Sequence, residues 1–563
     1  MITVKIRKSK FMPDDYSAYL SFPFNQDVID TIKELRYRSW IKGSKEWEIR
    51  IEDLPHLFER FPNHTFDVSG RYVELNPSLD FSLDDYKFKT DCFKHQLEGF
   101  KYGMMHERWL LGDEQGLGKT KQVIDIAVAK KQFFNYSHCL IICGVNGLKW
   151  NWQNEIAKHS NETAYILGQR VRKRTGEVYI GSTKDKLDDL MHLDEIDSYF
   201  IITNVETLRD DDITAWIVKW LHSESECKIN MIAADEVHKM KNPSSQQGKG
   251  FIKLDADVRI ALTGTPLMNS PLDLYIILRW LGFEKHAFYS FKNYYAIYGG
   301  YGGYQIVGYK HLDELEEQLQ SIMLRRLKKN VLDLPEKTYI DDYVDMTAKQ
   351  SVIYKEIKAE IKSNIDMISV APNPLAEMIR LRQATGYTGI LSSQIQESAK
   401  LDRMMELIAD ARENGQQIVI FSNWSQIVAE ICNRIHGNYT YVTVTGETSD
   451  FQRKINVEAF QDHRAEILVG TIGAAGTGLT LTAGTVEIFL DEPWSMALRE
   501  QAVDRCHRIG QQSNITVYTI MCKGTIDEKI HKLVYEKGEM SDKIVDGKLA
   551  PMSKREVLDY LLD

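Results

Sequence analysis

The spacing of apolar and polar positions divides the chain into a short leading segment and a long body of alternating strands and helices. Val28 to Leu35 recurs at helical spacing, Trp47 to Ile51 alternates as a strand does, and Leu54, Leu57 and Phe58 return to helical spacing. A small α+β domain over residues 1–88 is the expected result. Beyond it come short unbroken apolar runs: Trp109 to Leu111, Cys139 to Val145, Asn230 to Ala234, Gln417 to Phe421, Ile467 to Val469 and Ile488 to Leu490. Runs of that length suit strands buried on both faces of a parallel sheet, and helix-like segments separate them. Val123, Ile124, Ile126, Ala127 and Val128 open one helix, Val352 to Ile365 predicts another, and Thr525 to Asp546 a helical tail that Pro551 to Asp563 would cap or fray from. Tyr298 to Tyr304 alternates tyrosine with paired glycines and is expected to be a loop.

Composition narrows this picture only a little. The 563 residues leave room for three or four domains, and 43% hydrophobic with 27% charged residues is ordinary for a globular chain. A net charge of −10 argues against indiscriminate binding of polyanions, although a local basic groove remains compatible with it. The seven cysteines form no C-x-x-C pair, which speaks for a reducing compartment and against a zinc ribbon. Met1 to Lys8 lacks a hydrophobic signal core, and no apolar run approaches the roughly 18 residues of a membrane span. Cytosol, or the cytoplasm of a host cell, is the expected location.

Three stretches carry candidate chemistry. Asp113 to Thr120 follows the apolar run at Trp109 and precedes a helix, and Gly116 and Gly118 would let backbone N–H groups turn toward phosphate oxygens. Lys119 would neutralise phosphate charge and the Thr120 hydroxyl would ligate Mg²⁺. Asp113 stands where the strict G-x-x-x-x-G-K-[ST] pattern has glycine, so this stretch alone also fits a ligand-free β-α turn. Asp235 and Glu236 end the run at Asn230, where one acid can hold the Mg²⁺ water shell and the other can orient an attacking water. Arg505 and Arg508 stand three apart, which places both on one face of a helix; they suit either arginine fingers or a surface ion-pair face.

Taken together, the chain resembles a superfamily 2 nucleic-acid-dependent ATPase of the SWI/SNF (HepA-like) branch. The resemblance runs in order through Phe93 to Gly99, Asp113 to Thr120, Ile202 to Leu208, Asp235 to His238, Leu262 to Pro266, Leu324 to Leu332 and Leu334 to Lys337. It continues through Ile418 to Trp424, Thr471 to Gly484 and Gln501 to Gln511. Asp at the first phosphate-loop glycine is a habit of that branch.

The resemblance implies an α/β fold of two RecA-like lobes with parallel sheets and helical insertions, built as lobe 1 (89–270), helical protrusions and linker (271–397), lobe 2 (398–524) and a C-terminal helical brace (525–563). It implies ATP and Mg²⁺ as cofactors, double-stranded or branched DNA as partner, and a monomer. By the same resemblance Gln96 reads adenine, Gly478 and Gln501 join Gly116, Gly118, Lys119 and Thr120 at the nucleotide, and His238, Thr263 and Thr265 couple the γ-phosphate state to the DNA face. Thr203, Asn204, Thr445, Thr471 and Gly473 would meet the nucleic-acid strand, as would the segment from Asn146 to Trp152. Arg325, Arg326, Lys328 and Lys329 either line the duplex path or form a charged helix face, and Arg170, Arg172, Lys173 and Arg174 are a second candidate for phosphate tracking.

In residues 1–88, Phe22 to Asn25, Ile32, Lys33, Trp40 and Lys45 to Trp47 together resemble the small HARP-type module beside annealing helicases. Trp40 and Trp47, with Lys42, Lys45 and Arg50 nearby, would stack on unpaired or forked DNA or else serve as core. The expected activity is a double-stranded DNA translocase that remodels branched DNA. A strand-separating DNA or RNA helicase and a displacer of DNA-bound proteins are the alternatives. The compact single-motor layout suggests a bacterial or viral source.

Overall fold

A computed structural model describes residues 2–8, 16–35, 38–61, 66–70, 86–144, 147–174, 176, 178–240, 242–264, 270–299, 305–364, 378–476, 478–545 and 560–562. The chain divides into two compact units, Met1–Lys87 and Phe88–Asp563.

In the first unit the period-two pattern forms a five-stranded sheet, in the order Arg38–Ile41, Glu46–Arg50, Tyr16–Ser21, Ile2–Lys8, Phe66–Gly70. Its last pair is parallel and the others antiparallel. The helix Gln26–Glu34 starts where the Asn25 side chain accepts the Val28 N–H, and its Val28 and Ile32 stripe packs on Val4, Leu20 and Ile49.

The second unit holds two all-parallel sheets whose central strands are buried along their length, as unbroken apolar runs require. The first sheet runs Met323–Leu324, Arg108–Leu111, Val258–Leu262, Ile229–Asp235, His138–Cys143, Phe200–Asn204, Ala164–Ile166. The second runs Lys337–Val344, Ile515–Cys522, Gly484–Phe489, Gln417–Ser422, Ile467–Thr471, Tyr441–Val444. These are the two expected lobes.

Where the chain passes from one lobe to the other differs from expectation. Residues 271–397 were expected to be protrusions and linker, yet Met323–Leu324 adds an edge strand to the first sheet and Lys337–Val344 an edge strand to the second. A two-residue strand is too short to leave a periodicity, and the edge strand Lys337–Val344 is mostly half-exposed, so neither reads as a buried run. Tyr298 and Gly299 also depart from the expected loop: they end the strand Ala296–Gly299, which pairs antiparallel with Gln305–Tyr309, while residues 300–304 lie outside the described residues.

The tail is a helix, Ile526–Val545. Its Ile526, Ile530, Leu533 and Val534 pack on Tyr354, Ile357 and Ile361 of the helix Ala348–Ser363 and on Met378 and Leu381 of Met378–Gly386. Burying four such side chains at about 1.5–3 kcal/mol each holds the tail to the inserted helices of the second lobe. Among the described residues no helix is long and apolar enough to cross a membrane, and all seven cysteines are free thiols.

Candidate functional site

The phosphate loop, Asp235, Glu236 and Thr263 sit at the carboxyl ends of first-lobe strands, where parallel α/β sheets leave a crevice. The strand Arg108–Leu111 ends in a loop that enters the helix Lys119–Phe134 through Gly116 and Gly118, at φ +83° and +76°. Only glycine takes that left-handed backbone without cost, so the loop curls and its N–H groups converge. Lys119 Nζ lies across the loop, donating to the Asp113 and Glu114 carbonyls at 2.7 and 3.3 Å. Burial lowers its pKa, and the charges of Glu236, Asp113 and Asp235 oppose that shift.

Asp235 ends the strand Ile229–Asp235, and the indole N–H of Trp152 donates to its Oδ2 at 2.8 Å. Burial, followed by the charge of Glu236, pushes Asp235 up to about 6. Glu236 itself takes φ +50°, a strained backbone for a residue with a β-carbon. Against it lies Gly144, whose N–H donates to the Asp235 carbonyl at 2.8 Å. His238 Nδ1 stands 3.2 Å from Glu236 Oε2 and 3.0 Å from Thr263 Oγ1, so one imidazole touches both the acid and the next strand's end.

The second lobe reaches into this crevice. Gln501 Nε2 donates to Glu236 Oε1 at 3.0 Å, and Arg505 Nη2 donates to Gln115 Oε1 at 2.5 Å, across 390 residues of sequence. Arg505 and Arg508 both reach the Leu479 carbonyl, at 3.4 and 3.1 Å. They converge, but not on a helix. The helix Met496–Val503 ends before them, and the Arg505 and Cys506 N–H groups donate to the Ala502 and Val503 carbonyls three residues back, so the expected helical face is replaced by a tight turn. Gly478, at φ +71°, abuts Leu148 of the first lobe; a β-carbon there would come within 2.8 Å of its Cδ2.

Several sequence-predicted residues are placed differently. Thr203 and Asn204 are 1% and 6% exposed, and the Asn204 amide braces Glu206 and Thr207, so neither offers a side chain to a strand. The resemblance implied a place at the nucleic-acid face, but Phe200–Asn204 lies between two neighbouring strands and is buried there. Trp152, expected toward the nucleic acid, is fully buried on Asp235. Arg326 and Lys328 do not line a duplex path: Arg326 pairs with Asp113 at 2.6 Å and Lys328 is buried against Asp504. Arg170 is held by Asp185, Asp188 and Asp189, which leaves Arg172, Lys173 and Arg174 as the exposed members of that cluster.

Gln96 uses both ends of its amide within the fold, donating to the Leu117 carbonyl at 3.2 Å and accepting the Phe93 N–H at 3.1 Å. Thr120 is half-buried at the helix start; Thr445 and Thr471 are half-buried, and Gly473 is exposed. Thr265 lies outside the described residues. In the first unit Trp40 and Trp47 face each other across paired strands at 5.3 Å; Trp40 is 45% exposed and Trp47 packs partly on the core. Sequence reasoning missed Gln115, Asp504 and Gly144. Their partners are distant in sequence, and no spacing reports such pairs.

The SNF2-related domain matches residues 95–409, and the helicase conserved C-terminal domain matches residues 399–510. An uncharacterised ATP-dependent helicase of Mycoplasma pneumoniae is 28% identical over 83% of this chain and 43% of its own length. A SWI/SNF-related matrix-associated actin-dependent regulator of chromatin, subfamily A-like protein 1, of Xenopus tropicalis is 23% identical over 91% of this chain and 53% of its own. The solved SWI2/SNF2 ATPase core of Sulfolobus solfataricus in complex with double-stranded DNA is 26% identical, over 83% of this chain and 96% of that one, with a TM-score of 0.37. The chain spans about half the length of the curated relatives it matches. Its two lobes, its phosphate loop and the match over more than half its residues establish that the chain belongs to the SNF2-related family of ATP-dependent helicases and translocases.

Proposed function

We propose that this chain is an ATP-driven double-stranded DNA translocase that remodels branched DNA, by fork regression, strand annealing or branch migration. The observation that carries the motor reading is the pair of cross-lobe bonds, Arg505 to Gln115 and Gln501 to Glu236. A second-lobe cation, Arg505, thus meets the first lobe's phosphate loop, and a second-lobe amide, Gln501, meets its acid. Hydrolysis then depends on lobe closure, and each closing and opening moves two DNA grips relative to each other.

In this reading Lys119 and the N–H groups of the loop bind the triphosphate, and Glu236 orients water and takes its proton at a carboxylate oxygen. Arg505 and Arg508 meet charge developing on the γ-phosphoryl oxygens. His238 relays the state of that oxygen cluster through Thr263. Mg²⁺ fits the donor set: Asp235 and Thr120 are hard oxygen ligands, and Asp235 lies buried beside a second carboxylate, Glu236, whose like charge a cation there would offset. Those two residues would hold it, and it would neutralise phosphate charge. Gln96, whose amide is engaged by Leu117 and Phe93, would read adenine with its second N–H and its remaining oxygen lone pair.

Thr445, Thr471 and Gly473 are the half-buried or exposed groups left to meet a phosphate backbone, and such contacts carry no base identity. The branched-DNA part of the reading rests on the HARP-like first unit, where the exposed Trp40 offers a stacking face. A cytoplasmic location accords with the free thiols.

The test is steady-state ATPase of the whole chain on single-stranded DNA, linear duplex, forked DNA, a four-way junction and RNA, with Trp40→Ala alongside. Stimulation by forks or junctions that Trp40→Ala removes would support remodelling. Equal stimulation by every duplex would leave a translocase directed by a partner, and stimulation by single strands or RNA alone would replace this reading with that of a strand-separating helicase.

A further inference from the structure

The segment from Leu324 to Lys337 joins the two sheets, and it does so by running directly through the nucleotide crevice. On the first-lobe side it follows the phosphate loop bond for bond. The Gly112 N–H donates to the Leu324 carbonyl at 2.8 Å, the Glu114 N–H to the Arg326 carbonyl at 3.0 Å, and the Lys328 N–H to Glu114 Oε2 at 2.7 Å. Arg326 then grips Asp113 with Nε on Oδ1 at 2.9 Å and Nη2 on Oδ2 at 2.6 Å, a two-pronged geometry that fixes angle as well as distance.

On the second-lobe side, two residues later, Lys328 Nζ donates to the Asp504 carboxylate and to the His507 carbonyl at 2.7 Å. Asp504 and His507 flank Arg505 and precede Arg508. The same turn is held again by the His507 imidazole on the Pro335 carbonyl at 2.9 Å and by Lys337, 4.0 Å from Asp504 and 3.4 Å from Glu500 in the helix before the turn. Lys328 is 4% exposed and Asp504 3%, so their attraction is little screened. All three parts meet at Gly116: a β-carbon there would fall 2.9 Å from Arg508 Cβ and 3.3 Å from Lys328 Cε.

We infer that this strap is a two-ended clasp, with Lys328 the positioning residue that seats the Arg505–Arg508 turn over the phosphate loop while Arg326 holds the loop itself. The inference rests on the ATPase reading above. Arg326 and Lys328 are two residues apart, so displacement of the loop at Asp113 is handed to the arginine turn through the single residue between them, Leu327, which caps the helix Lys328–Val331. Turnover therefore depends on Lys328, whereas nucleotide binding, which belongs to the loop, does not.

The test compares Lys328→Met, Lys328→Arg and Asp504→Asn in the full chain by DNA-stimulated ATPase, by titration with fluorescently labelled ADP, and by thermal melting. Lys328→Met keeps the apolar stem and leaves Asp504 beside Lys337, 4.0 Å away, so the fold retains a partner for that acid. The expected result is a kcat reduced at least tenfold with the ADP Kd within twofold of wild type. Lys328→Arg should recover part of the rate, and Lys328→Met combined with Asp504→Asn should be no slower than the worse single variant. An unchanged kcat, a Kd that weakens in step with kcat, or losses that multiply in the double variant would each overturn the clasp. Turnover by the wild-type chain tests the ATPase reading separately, and only the split between kcat and Kd tests the strap.

Discussion

Gly144 is where a single methyl group should separate binding from catalysis. A β-carbon at this position would lie 2.6 Å from the Glu236 carbonyl oxygen and 2.9 Å from that of Asp235, where ordinary contact begins at 3.4 Å. Both obstacles are backbone, so Gly144→Ala must displace the turn carrying Glu236 by roughly 0.8 Å, the shortfall at the closer oxygen. The bond from the Gly144 N–H to the Asp235 carbonyl stretches with it. Overpacking of this kind costs about 1–3 kcal/mol. The kinetic cost is of similar size, since a displacement of ~1 Å at a reacting group lowers rates on the order of a hundredfold, or about 2.7 kcal/mol. We expect Gly144→Ala to lower kcat of the DNA-stimulated ATPase by about 30- to 100-fold while labelled ADP binds within about twofold of wild type, because Lys119 and its loop lie on another strand's end. Steady-state ATPase, nucleotide titration and a thermal melt read the three quantities. A well-folded Gly144→Ala protein with kcat within about threefold of wild type would refute the assignment of Glu236 as the water-orienting acid.

Lys119→Ala should abolish nucleotide binding and turnover together, whereas Glu236→Gln should abolish turnover and leave binding; wild-type ATPase in either variant would contradict the site. Lys130, 3% exposed on the helix behind the loop, is lowered by burial to about 8, with Glu107 opposing the shift. A depressed lysine pKa means that charging it costs stability fully below the folded value and not at all above the unfolded one of 10.5. Lys130→Met should therefore raise the melting temperature at pH 7, by up to roughly 3 kcal/mol of stability, and lose that advantage as pH rises from about 8 toward 10.5; an advantage independent of pH would point to packing instead.

The parallel strands were legible because burial on both faces leaves unbroken apolar runs, and Asp113 to Thr120, Asp235 with Glu236, and Gln501 to Arg508 were legible as local groupings. What the sequence concealed is what brings those groupings together. Arg326 is 213 residues from Asp113, and Lys328 is 176 from Asp504. Charged residues on a short irregular stretch look alike whether they face solvent, DNA or a buried carboxylate, so Arg325, Arg326, Lys328 and Lys329 read equally as a duplex path or a charged helix face. Asp113 held the clue. A carboxylate with no exposed surface in place of a glycine demands a cation, and the structure supplies Arg326. That pairing makes a prediction that the family habit alone does not. Asp113→Ala takes the two-pronged carboxylate from a guanidinium that is 10% exposed and leaves it Glu98 at 3.8 Å and the Gln122 amide oxygen at 2.8 Å, so it should cost about 3 kcal/mol, the low end for a broken buried pair, with nucleotide affinity falling as the loop loosens. Removing the under-compensated charge as well, in Asp113→Ala with Arg326→Leu, should restore most of the stability, because the penalty lies in that charge rather than in the lost bond. Thermal and denaturant unfolding of the four proteins in the cycle measure the coupling. A double variant as unstable as the sum of its singles would mean that Asp113 and Arg326 act on the loop independently, and the departure from glycine would then need another cause.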